Sequence, residues 1–110
     1  TENNINLIDK DELALMKSTA ILINTARGKL INEASLRAAL VNGQIGGAGI
    51  DVLSEEPPSR GNILLDNSLP NLIITPHTAW IATESRQRLV EQVAGKLGKF
   101  LKGEKINSVC

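Results

Sequence analysis

The sequence predicts an α/β fold built on a parallel sheet, and three observations carry that prediction. Short apolar runs at 20–23, 45–50 and 72–75 have the length and abrupt ends of buried strands. Segments with apolar residues at helical spacing lie before, between and after them. Alternation of this kind gives parallel sheets joined by right-handed crossovers. The expected order is helix, strand, helix, strand, loop, strand, helix.

Each element has a local reason. Asp9 or Asp11 can cap a first short helix, with Leu13, Leu15 and Met16 supplying its apolar side. Ala20-Ile21-Leu22-Ile23 is the first strand. After the loop Thr25 to Lys29, Asn32 is a good N-cap for a second helix. Leu36, Ala39 and Leu40 form its inner face, and Gly43 stands where a C-terminal cap belongs. Ile45-Gly46-Gly47-Ala48-Gly49-Ile50 reads as a strand of small residues that lets another group approach its backbone. Residues 56–62, with two prolines and a glycine, form a loop. Leu72-Ile73-Ile74-Thr75 is the third strand, ended by Pro76. A long helix then runs from about Thr83 to Lys102, with Leu89, Val93, Leu97 and Leu101 on one side and Arg88, Glu91, Lys96 and Lys99 on another. That amphipathic pattern predicts a helix packed on a core.

Composition removes several function classes. With 42% apolar and 22% charged residues, the chain resembles an ordinary globular domain and not a disordered one. Twelve basic residues balance twelve acidic ones, so the charge footprint of a nucleic-acid binder or a polybasic membrane anchor is absent. Trp80 and Phe100 are too few to build a base-stacking surface. No apolar stretch is long enough to span a bilayer. The one cysteine, Cys110, excludes an intrachain disulfide and fits a reducing, cytoplasmic setting.

The chemistry gathers at the strand ends. In open α/β sheets, ligands bind beyond the carboxyl ends of the strands. The first run leads to Arg27, the second to Asp51 and then Glu56, and the third to His77, the only histidine. Parallel strands therefore bring all four to one edge of the sheet. Arginine matches a carboxylate with a planar fork of donors. Imidazole exchanges a proton with an alcohol or carbonyl oxygen near neutral pH, and a neighbouring carboxylate fixes its tautomer. Together they describe a site for a 2-oxo acid, with the hydride supplied by a cofactor. Each residue also has a plainer reading. Arg27 could be solvated, Asp51 could end a strand, Glu55 and Glu56 could be surface charges, and His77 could bond backbone. Ser54, Ser59 and Thr25 lie in no G-x-S-x-G turn, which argues against hydrolysis.

Three segments together resemble the D-2-hydroxyacid dehydrogenase family. They are Ile21-Leu22-Ile23-Asn24-Thr25-Ala26-Arg27-Gly28, then Gly46-Gly47-Ala48-Gly49-Ile50-Asp51-Val52 with Glu55-Glu56-Pro57, and Leu72-Ile73-Ile74-Thr75-Pro76-His77-Thr78-Ala79-Trp80. Trp80 and the loop at 57–62 look most like the glycerate dehydrogenase and hydroxypyruvate reductase branch. Asn32 stands where many members have Asp.

The resemblance implies the C-terminal half of a Rossmann-like parallel-sheet NAD-binding domain over residues 1–82. Residues 83–110 would be a long helix and tail that pack on a substrate domain. It implies catalytic roles for Arg27 (substrate carboxylate), His77 (acid/base) and Glu56 (partner of His77). It implies an NAD or NADP site along Thr25, Ala26, Arg27, Asp51, His77, Thr78, Ala79 and Trp80, with Asp51 on the nicotinamide carboxamide.

A dinucleotide site should also carry G-x-G-x-x-G. Gly47-Ala48-Gly49 begins that pattern, but Val52 stands where the third glycine belongs. The chain therefore reads as a fragment whose pyrophosphate site lies upstream, inactive alone and prone to dimerise or self-associate through an open sheet edge and the exposed apolar face of the helix at 83–102. A nicotinamide-sensing binding protein and an inactive structural fragment are the alternatives.

Overall fold

A computed structural model describes residues 4–66 and 68–104; Cys110 lies outside the described residues. The chain forms two compact units, Thr1–Thr78 and Ala79–Cys110.

The first unit contains α1 (Lys10–Ala14), β1 (Ile21–Asn24), α2 (Glu33–Val41), β2 (Gly47–Ile50) and β3 (Leu72–Ile74). Two single 3-10 turns, at Gly28–Leu30 and Ile63–Leu65, interrupt the connections. The strands form one parallel sheet in the order β1-β2-β3. Its register aligns Asn24 with Ile50 and Ile50 with Ile74, so all three strands end level. That level edge is what sets the site.

The residues explain the elements. Asp9 caps α1 in a reciprocal capping box with Glu12. Asn32 caps α2 by accepting from the N–H groups of Ala34 and Ser35. The helix ends in a Schellman motif: Gly43 takes φ +64°, its N–H bonds Leu40 O, and Gln44 N–H bonds Ala39 O. Strands β2 and β3 prove shorter than their apolar runs. Leu15, expected on the inner side of α1, is 88% exposed, because the helix ends at Ala14 and only Leu13 turns fully inward.

One sheet face carries the core. Leu22, Ala48, Ile50, Leu72 and Ile74 pack with Leu13, Leu36, Leu40, Ile45 and Leu64. The alternation of a strand sends the next residues to the other face, and there Ile21, Ile23 and Ile73 stand exposed around Gly47 and Gly49.

In the second unit, α3 (Thr83–Leu101) is a 19-residue helix. A second Schellman motif ends it, with Gly103 at φ +73°. No side chain of α3 is buried, and Leu89, Val93, Leu97 and Phe100 are all more than half exposed. The described residues of its unit include no element that covers the apolar stripe, the exposure expected of this chain by itself.

Candidate active site

Beyond the level ends of β1, β2 and β3, three loops rise on the same side of the sheet. The first carries Arg27 and is shaped by Asn24, a buried polar residue. Its Oδ1 accepts from Ala26 N–H at 3.0 Å and its Nδ2 donates to Arg27 O at 2.9 Å. This is the side-chain mimicry of a turn at which asparagine excels. Thr25, Ala26 and Arg27 are thereby presented to solvent, and Arg27 Nη1 donates to Ala26 O.

Gly28 follows for a steric reason. A Cβ there would stand 2.0 Å from Leu53 C and 2.1 Å from Leu53 O. Only a glycine lets the loop after β1 lie directly against the loop after β2.

Asp51 is the junction of the three strand ends. Its N–H donates to Asn24 O and its carbonyl accepts from His77 N–H, both at 2.9 Å. Its side chain, only 4% exposed, accepts from Thr75 Oγ1 and from Thr78 N–H. The loop after β2 then brings Glu56 back: Oε1 accepts from Leu53 N–H at 2.9 Å, and Oε2 lies 2.7 Å from His77 Nδ1. The Glu56–Pro57 peptide is cis. Glu55, by contrast, serves its own loop, bonding Ser59 and Arg60.

His77 adopts φ +55°. A left-handed conformation is uncommon for any residue with a Cβ, though histidine is among those enriched there. Its N–H is shared between Asp51 O and Thr75 O, which holds the backbone in that state across Pro76.

Electrostatics favour an ionised Glu56. The Leu53 N–H and then the His77 ring hold its carboxyl below the ordinary 4.5, against a smaller opposing effect of desolvation. Glu56 thus occupies Nδ1, one of the two ring nitrogens of His77.

Arg27, Glu56 and His77 all line one cleft of about 650 Å³, floored by Gly28, Leu53 and Ser54. It therefore combines a guanidinium and a carboxylate-oriented imidazole. A nicotinamide group presents a carboxamide whose N–H2 needs an acceptor. The Asp51 carboxylate is an acceptor of that kind at the end of the central strand, its Oδ1 engaged by Thr75 Oγ1 and Thr78 N–H. Thr78 lies with this set in the first unit, while Ala79 and the half-exposed Trp80 belong to the second. The described residues include no group of three His, Cys, Asp or Glu able to hold a metal ion.

Sequence reasoning singled out the residues at the strand ends but missed Asn24 and Glu33 as the groups that hold their loops. An asparagine closing an apolar run was a readable turn signal; Glu33 looked like any acid in the first turn of a helix.

Comparison with known proteins adds an independent line. Residues 1–79 match the family model described as D-isomer specific 2-hydroxyacid dehydrogenase, NAD binding domain. Over 109 residues the chain is 50% identical to a glycerate dehydrogenase of Methylorubrum extorquens, covering 99% of this chain and 35% of that protein. Among solved structures, it resembles a D-isomer specific 2-hydroxyacid dehydrogenase of Xanthobacter autotrophicus in complex with NADPH and MES. The TM-score is 0.77 at 33% identity, over 97% of this chain and 43% of that one. An NAD-complexed enzyme of the same description from Lactobacillus delbrueckii gives 0.73 at 33% identity, over 98% and 36%. The chain thus spans about a third of the length of the curated relative it matches.

Proposed function

Because the chain belongs to the D-isomer specific 2-hydroxyacid dehydrogenase family, we propose that it supplies the acid/base half of a nicotinamide-dependent oxidoreductase. Its substrates are small 2-oxo and 2-hydroxy acids of the glyoxylate, hydroxypyruvate and glycerate type. The observation that carries this reading is the 2.7 Å contact between His77 Nδ1 and Glu56 Oε2 in a cleft shared with Arg27.

The roles follow from the chemistry of each group. Arg27 holds the substrate carboxylate through paired N–H donors and sets the carbonyl in place. His77, with Nδ1 engaged by Glu56, donates a proton from Nε2 to the carbonyl oxygen in reduction and takes it back in oxidation. Glu56 fixes the ring and balances its positive charge. Asp51 would accept from the carboxamide of the nicotinamide, and Thr25, Ala26 and Thr78 are the further residues of the first unit that would hold that ring. The cofactor, NAD or NADP, supplies or accepts the hydride.

The 110 residues hold no complete G-x-G-x-x-G, so activity belongs to a polypeptide in which this chain is joined to one. There, glyoxylate or hydroxypyruvate reduction with NADH or NADPH is the measurement. His77→Ala is expected to lower kcat by roughly 10²–10⁴, the usual worth of a general acid. A loss under tenfold would remove His77 from the chemistry. The 110-residue chain alone is expected to show no turnover.

Two features belong to the same reading. Helix α3 packs on a substrate domain, a reading supported by its exposed apolar stripe, while residues 105–110 of the expected tail lie outside the described residues. The chain self-associates, as a dimer or a larger species, through its open sheet edges and the bare Ile21, Ile23 and Ile73. Sedimentation as a monomer over a wide concentration range contradicts that. Among the described residues no helix is long and apolar enough to cross a membrane. A cytoplasmic location is the expectation, tested by cell fractionation.

A further inference from the structure

We propose that Glu33 is a positioning residue for the Glu56–His77 pair, fixing from α2 the loop that carries Glu56. The inference rests on the acid/base reading of that pair and adds the group that aims it.

Glu33 is the first residue of α2. An acid there is ordinarily a solvated charge that complements the positive end of the helix. Here both oxygens are engaged by another segment. Oε1 accepts from Ser54 N–H at 2.8 Å, and Oε2 accepts from Ser54 Oγ at 2.7 Å and from Asn62 Nδ2 at 2.9 Å. Ser54 and Asn62 are the two ends of the loop that contains Glu56. One carboxylate therefore closes that loop at its base.

The link to the pair runs through consecutive backbone groups. Ser54 N–H points to Glu33, while the N–H one residue earlier, on Leu53, points to Glu56 Oε1. Fixing the Leu53–Ser54 peptide leaves only the φ and ψ of Leu53 between it and the plane of the Leu53 N–H, which restricts where that N–H points. With Oε1 on that N–H, Oε2 lies 2.7 Å from His77 Nδ1. Leu53 cannot yield on its far side, because its carbonyl rests against Gly28.

Three substitutions separate reach from charge. Glu33→Ala removes both. Glu33→Asp keeps the charge at the helix start but is one methylene short of the loop. Glu33→Gln drops the charge and the bond from Asn62 Nδ2, yet its Oε1 still accepts from Ser54 N–H and its Nε2 can donate to the Ser54 hydroxyl, so both bonds to Ser54 are kept. The readout is the Glu56 carboxyl titration in the 110-residue chain, followed by carbon-13 NMR, with the ring signals of His77, the only histidine, as a second probe.

The expected result is an upward shift of the Glu56 midpoint and altered His77 signals in the Ala and Asp variants, with Gln close to the parent chain. If Gln behaves like Ala while Asp behaves like the parent, charge is what matters and the proposal fails. An unshifted Glu56 in both Ala and Asp also overturns it. Should Glu33→Ala not fold, the comparison of Asp with Gln decides alone. A normal response of Glu56 to these changes, beside an enzyme indifferent to His77→Ala, would sink the catalytic reading and leave the positioning role intact.

Discussion

His77 and Glu56 sit 21 residues apart in sequence and 2.7 Å apart at the site. Neither is held by that contact alone. Glu56 is anchored through its other oxygen to Leu53 N–H, and His77 is anchored by its backbone to Asp51 and Thr75. The two side chains meet because β2 and β3 end level, and a shift of either strand by one residue would part them.

The state of this pair depends on pH with a definite sign. The Glu56 carboxyl titrates below 4.5 in the folded chain, chiefly because of the Leu53 N–H and then His77. A depressed carboxyl contributes stability that is fully present above its unfolded value and lost as pH falls through the folded one. Glu56→Gln should therefore be less stable than the parent chain near neutrality, and the difference should vanish in acid below the folded midpoint. Urea unfolding at a series of pH values measures the gap. A gap that is constant across that range would mean that ionisation of Glu56 contributes nothing.

Gly28 offers a steric test of how closely the loops must approach. Its missing Cβ would stand 2.0 Å from a backbone carbon of Leu53, and backbone cannot rotate aside as a side chain can. Overpacking typically costs about 1–3 kcal/mol, and Gly28→Ala should fall at or above the top of that range. The same change should move Arg27 and the Leu53 N–H apart, so the His77 ring signals change as well. Chemical denaturation together with NMR of the single histidine checks both parts.

Asn24 tests the turn that presents Arg27. Asn24→Ala leaves Ala26 N–H and Arg27 O without their side-chain partner. Because both residues face solvent and Arg27 O still accepts from Leu30 N–H, the loss should be that of ordinary hydrogen bonds, about 0.5–1.5 kcal/mol each. Asn24→Asp should lose less, because a carboxylate still accepts from Ala26 N–H. Urea midpoints in the order parent, Asp, Ala are expected; an Ala variant as stable as the parent would deny Asn24 this role.

The parts that the sequence disclosed were those with local causes. The cap at Asn32, the glycine stop at Gly43 and the long helix from Thr83 each follow from a few adjacent residues. The strand ends were legible because Arg27, Asp51 and His77 each follow an apolar run. Features that depend on apposition of distant segments were not. Glu33 finds Ser54 and Asn62 only once α2 packs beside the loop, and the need for glycine at 28 exists only when Leu53 lies against it. Leu15 was misplaced because periodicity continues past the point where α1 runs out of residues. Nor could periodicity tell that Ile21, Ile23 and Ile73 would stand on a bare face.

The backbone of His77 makes the last prediction, since it separates the conformation of this residue from its chemistry. At φ +55° the position tolerates asparagine and glycine, whereas a β-branched side chain there is strained. His77→Asn and His77→Val both remove the imidazole, so both should abolish acid/base function in an enzyme that contains this chain. Both lose the ring contact with Glu56, but Val should be the less stable by a further amount of about 1–3 kcal/mol, as expected for a residue forced into a sparsely populated region. If the two variants unfold at the same urea concentration, the left-handed turn after Pro76 is not an obligatory part of the fold. If Asn is the more stable, the left-handed turn after Pro76 is an obligatory part of the fold, kept by the N–H of residue 77 on Asp51 O and Thr75 O whatever side chain it carries.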